Sequence, residues 1–152
     1  MTLDEAMREA LALAVQAESV DEVPVGALVL DPQGQVIGRG MNRRETRHDP
    51  VGHAEIEALQ AAASALSSWR LVGCTLVVTL EPCPMCLAAA QQARVAQVVY
   101  AAEDPKGGAL SLGYRLNEDL RLNHRFEVLR VENPDCSGIL KRFFKNKRRN
   151  PS

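Results

Sequence analysis

The segment Cys74-Thr75-Leu76-Val77-Val78-Thr79-Leu80-Glu81-Pro82-Cys83-Pro84-Met85-Cys86 decides the fold. Its first seven residues form an unbroken apolar, β-branched run, the pattern of a strand covered on both faces. Pro82 and Pro84 then bring the run to an end. Proline is tolerated in a first helical turn, so a helix over Pro84–Ala93 opens directly off that strand. Ala96–Ala101 reads as the next strand, and a strand reached through a helical crossover lies parallel to its predecessor.

Upstream, Ala54–Leu66 is rich in Ala and Leu and reads as a helix, preceded by an aperiodic polar loop over Met41–Gly52. Val25–Leu30 and Gln35–Arg39, joined by Asp31-Pro32-Gln33-Gly34, form a hairpin. Thr2-Leu3-Asp4-Glu5 has capping-box spacing, and Leu3, Met7, Ala10, Leu11, Ala14 and Val15 then recur at helical intervals as far as Glu18. Downstream, the glycine-punctuated stretch Glu103–Arg125 reads as a loop with one short helix. Glu127–Val131 is a last strand, and Asn133-Pro134 begins a final helix carrying the basic residues. The expected architecture is α/β: one three-layer α/β/α domain over residues 1–152, with a mixed five-stranded sheet at its centre.

Composition is that of an ordinary globular protein: 46% hydrophobic, 24% charged, net charge −1 over 152 residues. No apolar run approaches the ~20 residues that span a bilayer, and none reads as a signal-peptide core, so a cytoplasmic protein is expected. Charge is unevenly placed: Lys141, Arg142, Lys145, Lys147, Arg148 and Arg149 succeed one another with no acid between them. Such an end either meets a polyanion or compensates a helix dipole in solvent. In a chain without export features the four cysteines, Cys74, Cys83, Cys86 and Cys136, stay reduced.

Two short motifs carry chemistry. His53-Ala54-Glu55 stands at a loop-to-helix junction and Pro82-Cys83-Pro84-Met85-Cys86 at a strand-to-helix junction. Sulfurs three residues apart on a first helical turn point the same way, and a helix N-terminus favours the thiolates that bind metal. With His53 as third ligand, Cys83 and Cys86 would hold a tetrahedral zinc ion with one open position, the catalytic pattern. Water there would ionise near pH ~7. Glu55 would stay off the metal yet reach that water as the proton carrier. Two other readings stand beside this one: a thioredoxin-like Cys pair, or a structural zinc completed by Cys74, Cys136, His48 or His124. Cys74 and Cys136 read better as small buried hydrophobes.

With these motifs the chain resembles the cytidine deaminase-like superfamily and, within it, the bacterial tRNA-specific adenosine deaminases. The resemblance runs nearly end to end: Glu22–Ala27, Asn42-Arg43, His53–Ile56, Val78–Cys83 with Met85-Cys86, Asp104–Gly108, Asn123–Arg125, and Phe143-Phe144 before the basic tail. The metal motif specifies only the superfamily, which shares the signature of base-flipping zinc deaminases, and the later segments point to the tRNA enzymes. The resemblance implies hydrolytic conversion of adenosine to inosine at the wobble position of a tRNA anticodon. Hydroxide on a zinc ion, one per subunit, would attack C6, and Glu55 would protonate N1 and then the departing amine.

It further implies that Asn42 bonds the flipped-out nucleoside, that the Ala54 backbone orients the base, and that Val25 and Pro82 line the pocket. Asp104, Lys106, Asn123, His124 and Arg125 are candidates for anticodon-loop contacts, and Phe144, Lys145 and Arg148 for contacts from the last helix. His124 could equally be structural, and at least one of Phe143 and Phe144 belongs to the core. A homodimer whose subunits both touch each tRNA would use the helix surface near Leu87–Ala93. Pro84, Leu87 and Ala109-Leu110-Ser111-Leu112 depart from the usual family residues without touching a metal ligand. A deaminase of free bases or nucleosides, of guanine or cytosine type, would share the same core. An RNA-binding module with a structural zinc would lack turnover altogether.

Overall fold

A computed structural model describes residues 1–149. Its elements run α1 (Leu3–Ser19), β1 (Gly26–Leu30), β2 (Val36–Met41), α2 (Ala54–Leu66), β3 (Thr75–Leu80), α3 (Pro84–Gln92), β4 (Gln97–Ala102), β5 (Glu127–Arg130) and α4 (Pro134–Arg149). The five strands form one sheet in the order β2-β1-β3-β4-β5. β1 pairs antiparallel with both β2 and β3, whereas β3, β4 and β5 run parallel. The sheet is therefore mixed, as expected.

β3 occupies the centre, and Thr75–Val78 pair on both sides, with β1 and with β4. The run that reads as doubly covered is covered: Leu76, Val77 and Val78 are fully buried. α1 and α4 pack on one face of the sheet, α2 and α3 on the other. α1 begins with the capping box, Thr2 accepting from the Glu5 N–H and Glu5 from the Thr2 N–H.

Two glycines determine how closely α2 lies on the sheet. A Cβ on Gly38 would come 2.4 Å from the Ala58 carbonyl oxygen, and one on Gly40 would come 2.2 Å from that of Ala54. The alternation Gly38-x-Gly40 on β2 thus admits the backbone of Ala54, Ala58 and Ala62 directly against the strand. The contact fixes the start of α2, where His53-Ala54-Glu55 sits.

Differences from the sequence reading are confined to connections. Several element ends move by a residue or two; Met41, for instance, belongs to β2 and not to the loop. The stretch 103–126 contains a succession of turns and no helix. Gly113 takes φ +93°, and Gly108 packs against the Glu81 side chain, so the local geometry is that of turns. This stretch also carries the chain from the C-terminal end of β4 back to the start of its parallel neighbour β5, at the opposite end of the strands. Among the described residues, no helix is long and apolar enough to cross a membrane.

Candidate active site

His53 is the N-cap of α2 and Cys83 the N-cap of α3, so two helix N-termini converge beside the C-terminal end of β3. The His53 Nδ1 atom lies 3.5 Å from the Cys83 Sγ and 3.4 Å from the Cys86 Sγ. All three ligand atoms lie within 4.8 Å of one another, close enough to hold one metal ion. Among the described residues the group comprises these three side chains alone. His48, Cys74, His124 and Cys136 lie outside it, so no fourth side chain completes a structural zinc site there. Cys74 and Cys136 are fully buried, and all four cysteines are free.

The electrostatics match the donor set. The Cys86 thiol gives its hydrogen to Cys83, which holds Cys83 down at about 4; His53 adds to the effect. Cys86, the donor of that bond and buried beside Glu55, is pushed far up. The hydrogen bond to Cys83 raises His53. Cys86 keeps its proton and turns it toward the Cys83 sulfur, so the three atoms already form one polar cluster that a soft or borderline dication would bind together, and the N/S donor chemistry suits zinc. Glu55 is 4% exposed, and burial pushes its carboxyl up to about 7, so it can hold or release a proton near neutrality.

Over this floor opens a pocket of about 160 Å³ lined by Val23, Val25, Asn42, Arg44, His53, Ala54, Glu55, Leu80, Glu81, Cys83 and Asp104. Asn42 is tied down: its amide nitrogen donates to the Val23 carbonyl and its amide oxygen accepts from the Arg44 N–H. The buried Glu22 carboxylate accepts from the Glu45 and Thr46 N–H groups and holds the same wall. The pocket brings Val25, Asn42 and Ala54 together with Asp104. Pro82 is buried next to the floor, its carbonyl accepting from the Ala109 N–H, and Lys106 is exposed on the adjoining loop.

Asn123, His124 and Arg125 are elsewhere. The His124 ring contacts the Val95 carbonyl at 2.7 Å and stacks on Phe126, and Arg125 lines a depression with Ala96 and Gln97. These residues stand at the N-terminal end of β4, so no contact with this chain's own pocket is open to them. Phe143 is a core residue at 7% exposure, whereas Phe144 is 45% exposed. Lys145 and Arg148 are exposed, and Lys147 pairs with Asp21 at 2.5 Å beside the pocket-lining Val23. Val23, Arg44, Leu80 and Glu81 were not predicted as pocket residues. Val23, Leu80 and Glu81 carried a signal, since they fall within the resembling stretches Glu22–Ala27 and Val78–Cys83, whereas Arg44 carried none.

Comparison with known proteins accords with this geometry. Residues 1–148 match the MafB19-like deaminase family. Over 151 residues the chain is 46% identical to the tRNA-specific adenosine deaminase of Bacillus subtilis, an alignment covering 98% of this chain and 93% of that one. The chain belongs to the tRNA-specific adenosine deaminase family. The deaminase superposes with TM-score 0.84 and 40% identity on a structure solved in work on A-to-I editing by tRNA:A34 deaminases, covering 90% of this chain and 99% of that one. A guanine deaminase of Nitrosomonas europaea shares the cytidine deaminase-like fold at TM-score 0.76 and 25% identity, over 91% of this deaminase and 82% of that chain.

Proposed function

We propose that this deaminase, acting as one catalytic domain over residues 1–152, converts adenosine to inosine by hydrolysis at the wobble position of a tRNA anticodon. The observation that carries the reading is the His53, Cys83, Cys86 cluster beside buried Glu55, on the floor of a pocket. His53, Cys83 and Cys86 would hold one zinc ion per subunit. When bound, zinc supplies Lewis acidity that makes water a competent nucleophile near neutral pH.

The chain's own residues account for the remaining requirements. Glu55 accepts a proton from the attacking water and delivers it to adenine N1. It then takes the second proton from the hydroxyl now on C6 and delivers it to the departing amine as the C6–N bond breaks, so that adenosine and water give inosine and ammonia. Its burial, which raises its proton affinity, suits a group that must both take and give near pH 7. Asn42 and the Ala54 backbone orient the flipped-out nucleoside, and Val25 and Pro82 confine the base. Asp104 and Lys106 meet neighbouring nucleotides, while Phe144, Lys145 and Arg148 meet the stem.

Asn123, His124 and Arg125 reach RNA in this scheme only as the second subunit of a homodimer. The apolar groove between α2 and α3, lined by Ile56, Leu59, Ala63, Trp69, Ala89 and Ala93, is the face we assign to that pairing. The working compartment is the cytoplasm. Incubation with an anticodon stem-loop bearing a wobble adenosine should release ammonia and yield inosine, while free adenosine, guanine and cytidine remain unchanged. Comparable turnover of any free base or nucleoside would overturn the tRNA reading.

A further inference from the structure

Glu55 is one of two carboxylates that line the pocket from a buried position; the other, Glu81, takes no part in proton transfer. Glu81 comes directly after β3 and is 3% exposed. Its Oε1 accepts from the Asp104 N–H at 3.1 Å and the Ser111 hydroxyl at 2.7 Å, and its Oε2 from the Ser111 N–H at 2.8 Å. Every one of these donors belongs to the loop 104–111. The adjoining Pro82 carbonyl takes a fourth, the Ala109 N–H at 2.8 Å. Gly108 lies flat on the carboxylate: a Cβ there would come 2.1 Å from Oε2.

A buried carboxylate is costly unless charge-assisted hydrogen bonds replace its water, and here one short loop supplies them. That loop carries Asp104, whose Oδ1 in turn accepts from the Lys106 and Gly107 N–H groups, fixing its carboxylate at the pocket wall. His53 and Glu55 take their positions from α2, and Cys83 and Cys86 from α3. The wall hangs from Glu81 and Pro82 and the reacting centre from the two helices, and the two supports meet only at the step from Pro82 to Cys83.

We propose that Glu81 is a positioning residue that fixes the Asp104 wall and so sets substrate affinity, leaving the chemical step to the floor. The inference rests on the substrate reading above only for the choice of RNA. The test substitutes Glu81→Gln, which keeps volume but turns an NH₂ group toward the loop's donors, and Ser111→Ala, an exposed position that loses one bond without threatening folding. Steady-state kinetics on the stem-loop should show KM rising about tenfold for Glu81→Gln and about threefold for Ser111→Ala, with kcat falling less than KM rises. Zinc content should hold.

Hydrogen exchange should show the amides of Asp104 and Ser111 opening faster, with those of α2 and α3 unchanged. Faster amides with an unchanged KM, unchanged amides, or a loss confined to kcat would each overturn the proposal. Should Glu81→Gln fail to fold, the Ser111→Ala readouts decide. Were the wild type to ignore the stem-loop and turn over a free base, the tRNA reading alone would fall. KM on that base would then replace KM on RNA, and the exchange experiment would stand as it is.

Discussion

Adding one methyl group at Gly40 should damage catalysis from beneath the site. The substitution Gly40→Ala puts a Cβ 2.2 Å from the Ala54 carbonyl oxygen and 2.7 Å from the Ala58 nitrogen, both backbone atoms. Ordinary contact begins near 3.4 Å, so the first turn of α2 must retreat by roughly 1 Å or β2 must bend away. Overpacking of this kind costs about 1–3 kcal/mol. In a chain of this length each kcal/mol shifts Tm by ~2–4 °C, so a fall of roughly 3–10 °C is expected.

That first turn carries His53 and Glu55, and a misplacement of ~1 Å can cost ~10²-fold in rate. Gly38→Ala is the matched control. Its Cβ would meet Ala58 and Ala62 one turn further along α2, at 2.4 Å from the nearest atom, so the loss of stability should be alike. The loss of kcat should be several-fold smaller, because the displaced turn is not the one bearing the ligands. Thermal unfolding and single-turnover deamination of both variants check this. If Gly40→Ala lowers Tm as expected yet keeps wild-type kcat, or if the two variants lose activity equally, the coupling of α2 placement to chemistry is wrong.

Substitutions at the floor and on the last helix separate the remaining roles. Glu55→Gln should retain zinc and fold while turnover drops by about 10²–10⁴, measured by ammonia release; near-normal turnover would remove Glu55 from the proton path. Cys83→Ala should lose zinc and stability together, read by metal analysis alongside unfolding; stoichiometric zinc in the purified variant would count against the ligand set. Lys145→Ala and Arg148→Ala should each flatten the salt dependence of stem-loop binding by about one unit of slope, whereas Lys147→Ala should do less because Asp21 already pairs with it. An equal effect at all three positions would mean that the ion pair gives way to RNA.

Sequence reading succeeded where a local pattern forces a local structure. The bounds of α2 emerge unchanged because a polar loop ends at His53 and an Ala- and Leu-rich period begins at Ala54. β3 was visible as an unbroken apolar run because a central strand has no polar face to show. The trio that could hold a metal was legible because Cys83 and Cys86 share one helical turn and His53 begins another helix.

What escaped depends on contacts distant in sequence. Nothing local to Gly38 or Gly40 says that a helix backbone lies against them. The turns after Ala102 are set by Glu81, more than twenty residues earlier, so spaced leucines there suggested a helix that does not form. Asn123–Arg125 share with Asp104 and Lys106 a reading as anticodon-loop contacts, but the parallel direction of β5 places them at the other end of β4, a separation that no local pattern announces.

The central place of β3 has a consequence for how substrate preference can change. A strand bonded on both sides opens only when the whole sheet does, so the turn bearing Cys83 is as steady as any part of the molecule. The walls hang from connections that can be lengthened, shortened or recast without disturbing that anchor. Swapping one nucleobase for another then asks for new loops around an unaltered reaction, and a shared scaffold with guanine-processing relatives is what such a division of labour produces.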